Sequence, residues 1–406
     1  MENGSGQRWL AIAEEVFVPA DAGGRVESLN LLRAAHAAGL LGRVLVPGID
    51  EAGLGDTELA AHRAALPGVD LVGIPRRTGW RSHLSTTPYL FASRPLPAGL
   101  ADSIRHDGFT AVLAVSFRVA HLAVELAEAL DVPAIVRPHN VESAYFAQLA
   151  RSSRFPRDLP YAAEAWKLRR AEAVVHASPR VAVFAEIAEE EMAARAALTA
   201  TPVIHVPPFL PPRQNTAQRE TARVHRAEPG GTVLFLGALD NANNSGGIGW
   251  FTEHCWPGLR SSGVGAPGVA LHVVGRRAPA PLVDELRAAG AEVTVDAPEV
   301  ASHLAAADVF VNPVRHGAGI NIKMIEAMAA GLPVVSTSVG ARGLHWRDGE
   351  HLLVADGPAA FRAAVQGLLD DPARRAELAD AGRRFVTGEL DGVRQIGRLV
   401  AALGGC

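Results

Sequence analysis

Two cysteines in 406 residues, Cys255 and Cys406, leave no material for a disulfide framework or a cysteine-based zinc site, and a reducing compartment is expected. No run of about 18 apolar residues occurs, so no membrane-spanning helix is expected. The stretch Met1 to Arg8 lacks the cationic-then-apolar pattern of a secretion signal, and the expected location is the cytoplasm. An excess of basic charge is also missing: 39 Lys and Arg against 43 Asp and Glu give a formal net charge of −4. That balance argues against a nucleic-acid partner and against association with anionic membranes, so any anion must be held locally. Neither a GxxxxGK[ST] loop nor an Asp-x-Asp pair is found, and neither a metal site nor a bound cofactor is expected.

What is present is material for large cores, with 48% hydrophobic and 20% charged residues, in a chain long enough for two or three domains. Aliphatic, strand-like runs alternate with helical stretches, the pattern of parallel sheets covered by helices. A first series runs through Trp9–Ile12, Arg43–Val46, Asp70–Ile74, Ala111–Val115, Ala134–Arg137, Ala173–His176 and Val203–Val206. Pro207, Pro208, Pro211 and Pro212 then lead into a polar stretch that reads as an interdomain linker. A second series starts at Thr232–Gly237 and continues through Ala270–Gly275, Val293–Val295, Val309–Val311 and Pro333–Thr337. The expected organisation is therefore a first Rossmann-like domain over 1–210, a linker over 211–230 and a second Rossmann-like domain over 231–385. A C-terminal helix over 386–406 is expected to pack back on the first domain. Open α/β sheets bind ligands beyond the carboxyl ends of their strands, so a cleft between two such domains is the expected active site.

Gly263-x-Gly265-x-x-Gly268 matches a dinucleotide-binding pattern, but it precedes a strand instead of following one and is set aside. The informative block is Val311 to Val335, read as strand, glycine loop, helix, glycine stop, strand. Ile322, Ile325 and Ala329 recur at helical spacing toward the sheet, leaving Lys323 and Glu326 together on the other flank. Gly317 and Gly319 allow a ligand close to the backbone at a helix start, where free N–H groups favour phosphate. Lys323 could then neutralise a diphosphate and Glu326 accept from a ribose diol. The alternative is a surface salt bridge between the two beside a plain glycine turn.

This block, with Ser336 to Leu344 after it, resembles the nucleotide-sugar site of retaining GT-B glycosyltransferases of the family 4 type. Asp21-Ala22-Gly23-Gly24-Arg25 is similar to the family's first Gly-rich loop, Pro138-His139-Asn140-Val141-Glu142 resembles its His-Asn-Val-Glu subgroup, and Leu234 to Asp240 resembles the opening strand of its donor domain. The resemblance implies an α/β GT-B fold, two doubly wound domains facing each other across a cleft. It implies a transferase that moves a sugar from a nucleoside diphosphate donor, with retention, to an acceptor; the missing metal motifs lead us to expect that it needs no metal, and the group moved is expected to be hexosyl or, given Ala318, deoxyhexosyl. By the same resemblance, Glu326 binds the ribose, and Lys323 and the Gly319 backbone hold the diphosphate. Gly23 and Gly24 approach the diphosphate from the other domain, and His139 sits beside the sugar; from the residues themselves, Arg315, Arg276 or Lys323 is expected to supply the leaving-group charge, with solvent the alternative contact for Arg315. Two positions depart from the pattern. Ala318 stands where relatives commonly carry an acid for the donor hydroxyls, and Asp240-Asn241-Ala242-Asn243-Asn244 stands where many carry an Arg and a Lys.

Several candidates have a second reading from the residues alone. Glu142 either orients His139 or opens a helix, and Asn243 and Asn244 are expected to cap the helix holding Trp250 and Phe251. Trp166, Lys167, Arg169 and Arg170 are expected to contribute packing and solvated charge on an amphipathic helix. Two rival functions remain, a nucleotide-sugar epimerase and a non-catalytic GT-B partner protein. A natural product, a lipid carrier and a polysaccharide all stay open as acceptors, in secondary metabolism or polysaccharide biosynthesis, and the oligomeric state is not readable.

Overall fold

The computed structural model describes residues 6–20, 23–48, 56–77, 79, 85–156, 158–210, 231–261, 268–317 and 320–404. The linker expected over 211–230 and the glycines Gly263 and Gly265 lie outside them, as do Asp21, Ala22, Ala318 and Gly319. The chain divides into two compact units, Met1–Pro207 with Gly392–Cys406, and Pro208–Asp391.

The first unit holds a seven-stranded parallel sheet: β1 (Trp9–Ile12), β2 (Leu41–Pro47), β3 (Asp70–Ile74), β4 (Ala111–Ala114), β5 (Ala134–Val136), β6 (Val181–Glu186) and β7 (Val203–His205). Its order is β3-β2-β1-β4-β5-β6-β7, so the winding reverses between β1 and β4, whose register pairs Leu10 with Val112. Every residue of β1 and β4 is buried, as strands covered by helices on both faces must be. Leu10, Ile12, Val112, Phe117, Leu122 and Val136 belong to one apolar core there.

The second unit repeats the plan with six strands: β8 (Gly231–Ala238), β9 (Val269–Arg276), β10 (Glu292–Val295), β11 (Val309–Asn312), β12 (Val334–Ser336) and β13 (Leu353–Val354). The order is β10-β9-β8-β11-β12-β13, again parallel, with the reversal between β8 and β11. Val233, Phe235, Phe251, Val311 and Phe361 lie in its core. Two doubly wound α/β units are thus what the alternation of runs predicts.

One expected strand is wrong. Ala173–His176 ends the helix Asp158–His176, and the sixth strand is Val181–Glu186. Leu168, Glu172 and Val175 are buried at helical spacing while Val174 is 70% exposed, so a 3.6-residue period overrides the β preference of two valines. On the same helix Trp166 is exposed, with Arg170 stacked 3.9 Å over its ring, so the indole does not join the core. The last helix, Gly392–Leu403, buries Ile396 and Leu399 within the first unit, and Arg398 donates to the His205 carbonyl at 3.2 Å. Among the described residues no helix is long and apolar enough to cross a membrane.

Candidate active site

In the second unit the site forms where β8 and β11 part. After β8, Asn241 accepts from the Asn243 backbone N–H at 2.9 Å and opens the helix Ala242–His254. The cap is therefore Asn241, not Asn243 or Asn244, which lie inside the first turn. Asn244 is used otherwise: its Nδ2 donates to the Ala238 carbonyl at 3.0 Å, which turns Oδ1 toward Lys323 Nζ at 2.8 Å. After β11, the buried Asn312 amide donates to Ser336 Oγ and to the Gly340 carbonyl, both at 3.2 Å, and Asn321 Nδ2 donates to that carbonyl at 2.8 Å. These bonds hold the loop after β12 against the start of the helix Ile322–Ala329.

That helix buries Met324, Ile325, Ala327 and Met328, a stripe shifted from the expected Ile322, Ile325 and Ala329. It is covered on two sides, by β11 and β12 and by the helix Pro372–Glu389, so its apolar face is wider than one sheet contact requires. Lys323 and Glu326 are both half-buried and form no ion pair with each other. Lys323 Nζ lies 4.7 Å from the Phe235 ring centroid and has no carboxylate partner among the described residues. Burial pushes its pKa down to about 7. Burial also raises the Glu326 carboxyl, against the pull of Arg276, and no described group donates a hydrogen bond to it.

Gly317 has φ +121°, a region that L side chains rarely adopt, and a Cβ there would stand 2.6 Å from Asn243 Nδ2. Only glycine fits. We expect Gly317→Ala to lower the urea unfolding midpoint by an amount equivalent to about 1–3 kcal/mol, the usual scale of stored backbone strain, with partial recovery in Gly317→Ala/Asn243→Ala as the close approach is relieved. Arg315 is exposed, and its guanidinium lies over the Trp250 ring, 5.3 Å from the centroid. Asp240 pairs with Arg277 at 2.7 Å.

In the first unit, groups meet at the carboxyl ends of β1, β4 and β5. His139 follows β5, with Nε2 2.8 Å from Glu27 Oε2 and Nδ1 3.9 Å from Glu14 Oε2. Burial alone would lower the His139 pKa, but the Glu27 bond and the Glu27 and Glu14 charges outweigh it and raise it. Arg118 holds Glu14 at 2.8 Å and Glu142 at 3.2 Å, and Arg94 donates to the Glu14 carbonyl at 2.9 Å. Glu142 thus opens the helix Glu142–Ser152 and binds Arg118, while the carboxylate on His139 is Glu27. Gly23 and Gly24, placed by the resemblance in a Gly-rich loop, are the first residues of the helix Gly23–Ala37, and a Cβ on either would meet open space. Glu15 accepts from Arg25 at 2.9 Å.

Each unit brings part of the predicted set together. Lys323, Glu326 and Gly317 surround one helix start, His139 stands in a charged network, and Gly319 lies outside the described residues. Glu14, Glu27 and Arg118 were not read from the sequence, and Asn244 was read there as a cap, not as the partner of Lys323. Glu27 had a signal: with Leu31 and Ala34 it sits at i, i+4, i+7, a carboxylate on an apolar helix face. No group of three or more His, Cys, Asp or Glu placed to hold a metal ion occurs among the described residues.

Residues 230–371 match the family model of glycosyl transferases group 1. Over 166 residues the chain is 34% identical to the phosphatidyl-myo-inositol mannosyltransferase of Mycobacterium leprae (strain TN), a match that covers 39% of this chain and 42% of that one. It is 37% identical over 105 residues to the D-inositol 3-phosphate glycosyltransferase of Geodermatophilus obscurus, 25% of this chain and 22% of the other. These matches span less than half the length of the curated relatives. The crystal structure of Anabaena Alr3699/HepE in complex with UDP and glucose has the same fold, with a TM-score of 0.63 at 11% identity over 98% of this chain and 100% of that one. Residues 230–371 therefore carry the sequence pattern of the glycosyl transferases group 1 family, on a chain whose two Rossmann-like units have the GT-B fold.

Proposed function

We propose that the chain is a family 4-type retaining glycosyltransferase of the His-Asn-Val-Glu subgroup, which moves a sugar from a nucleoside diphosphate donor to an acceptor hydroxyl without a metal. The observation that carries the reading is Lys323, a half-buried ammonium at a helix start with no carboxylate partner among the described residues. A cation so desolvated is compensated by an anion, and a diphosphate fits both its charge and the free N–H groups beside it. One turn on, the Glu326 carboxylate is open to the two hydroxyls of a ribose.

In the reaction the bond from the anomeric carbon to the diphosphate oxygen breaks, and its electron pair leaves with the phosphate. Lys323 stabilises that growing charge, with Arg315 as the further cation of the same unit. The acceptor oxygen bonds to the anomeric carbon on the face the phosphate leaves, and its proton passes to a phosphate oxygen. His139 is the sugar-side group, and Gly23 and Gly24 admit the diphosphate closely to a helix start. The complex of Anabaena Alr3699/HepE with UDP and glucose supports such a donor, and the inositol-containing names of the relatives put inositol phosphates and phosphatidylinositol first among acceptors to try.

The test is incubation with UDP-, TDP- and GDP-sugars and an acceptor panel, read by mass spectrometry, with the anomeric configuration of the product read by NMR. Transfer with retention is expected, and EDTA leaves the rate within about twofold, since the charge is carried by side chains. Acceptor-free epimers would replace this reading with an isomerase. Inversion, or a rate lost in EDTA and restored by Mg²⁺, would refute retention or metal independence respectively.

A further inference from the structure

We propose that Glu27 and Arg137 are positioning residues that orient His139 and tie it to the peptide of Val206 and Pro207. The inference rests on the transferase reading for what His139 does, but its geometry is independent of it.

Arg137 is 0% exposed and Glu27 4%. Arg137 Nε meets Glu27 Oε1 at 2.5 Å, Nη1 donates to the Val206 carbonyl at 2.7 Å, and Nη2 donates to the Pro207 carbonyl at 3.3 Å. The second Glu27 oxygen takes His139 Nε2 at 2.8 Å. A carboxylate flanked by a guanidinium accepts only, so it fixes a proton on Nε2 and sets the plane of the ring. Nδ1 is left directed to the space beside Glu14, and Pro207 is the last residue of the first unit before the chain enters the second.

A second pair backs the same loop. Arg195 Nε meets Glu186 Oε1 at 2.5 Å, both side chains fully buried, and Arg195 Nη2 donates to the carbonyl of Asn140, the residue after His139. Buried ion pairs add little net stability compared with apolar packing, because desolvation offsets their attraction. Two of them on a four-residue stretch, Arg137 to Asn140, therefore point to control of geometry more than to stability. The charged groups around the imidazole are Glu27 from the helix Gly23–Ala37, Glu14 from the loop after β1, and Arg137. Glu142, Glu186 and Glu191 also feel its charge.

The test uses Glu27→Gln and Arg137→Lys in the full chain. In Glu27→Gln the amide oxygen stays with Arg137 and the NH₂ group faces His139 Nε2, which favours the neutral ring protonated on Nδ1. An NMR titration of the His139 ring, assigned by its loss in His139→Asn, should give a midpoint above 6.5 in the wild type and below it in Glu27→Gln. Turnover should fall at least tenfold with donor KM within threefold, and UDP should still bind. Arg137→Lys, which keeps the charge but loses the two-carbonyl clamp, should lower turnover in the same way with a smaller shift in midpoint. A wild-type midpoint below 6.5, or one unmoved in Glu27→Gln, overturns the proposal, and the wild-type arm stands even if a variant fails to fold. If no nucleotide sugar is turned over by the wild type while the His139 midpoints behave as stated, the transferase reading fails and the positioning role survives.

Discussion

Lys323→Met is expected to lower kcat by about 10²–10³-fold while raising the melting temperature, because the ammonium costs the fold something that only the substrate returns. Its pKa is pushed down by burial to about 7, against an unfolded value near the usual one for lysine. Between those two values the unfolded chain binds more protons than the folded one, so stability rises with pH from about 7 toward 10 in the wild type. Below about 7 the penalty is present in full. Methionine keeps the length and removes the charge, so the variant loses this slope and is the more stable protein at neutral pH. In the complex the sign reverses: a diphosphate against Nζ favours the ammonium, its pKa rises, and binding takes up a proton at pH above 7. Nucleotide affinity should then fall as pH climbs above 7, and calorimetry in two buffers of different ionisation enthalpy reads the uptake directly. The alternative role, a surface pair with Glu326, predicts about 0.2–0.5 kcal/mol and no effect on kcat. A kcat within threefold of wild type with a lowered melting temperature would return Lys323 to helix surface.

How much of this was legible depends on the range of each interaction. The central strands β1, β4, β8 and β11 read directly, since strands buried on both faces are continuous aliphatic runs. Ala173–His176 misled because two β-branched residues close a helix whose buried stripe is set by Leu168 and Glu172 further back. β13 has two residues and carries no pattern. In the site, Lys323, Glu326 and Gly317 share one short segment and their spacing suggests a common task. What each touches does not show in spacing: Asn244 is 79 residues from Lys323, and Glu27 is 112 from His139. The Asp240–Asn244 segment, read as a loss of basic charge, instead supplies the amide that steers the Lys323 ammonium. Long-range polar pairing is set by the fold, and the one local trace of such a pair is the polarity of Glu27 on an apolar helix face, which does not say what it pairs with.

Glu326→Gln is the complementary test, since it reads the other half of the nucleotide. A carboxylate that accepts from two ribose hydroxyls makes charge-assisted bonds, and loss of the charge should weaken binding by about 1.5–3 kcal/mol, roughly 10–150-fold in Kd. The fold should survive, because burial already raises this carboxyl and the neutral amide removes that cost. For the same reason wild-type affinity should fall as pH drops through the raised pKa, where the carboxyl protonates and one acceptor position becomes a donor. With the opposite limb from Lys323, nucleotide affinity should be greatest between the two values and decline on either side. The role is isolated by a cycle of protein and ligand changes. Wild type should lose affinity for 2′-deoxy and 3′-deoxy nucleotides relative to the ribonucleotide, whereas Glu326→Gln, which has already lost the charged acceptor, should discriminate little between them. If the variant keeps the full wild-type preference for the ribonucleotide, the diol is recognised elsewhere, and Glu326 is a helix carboxylate whose field merely balances Arg276.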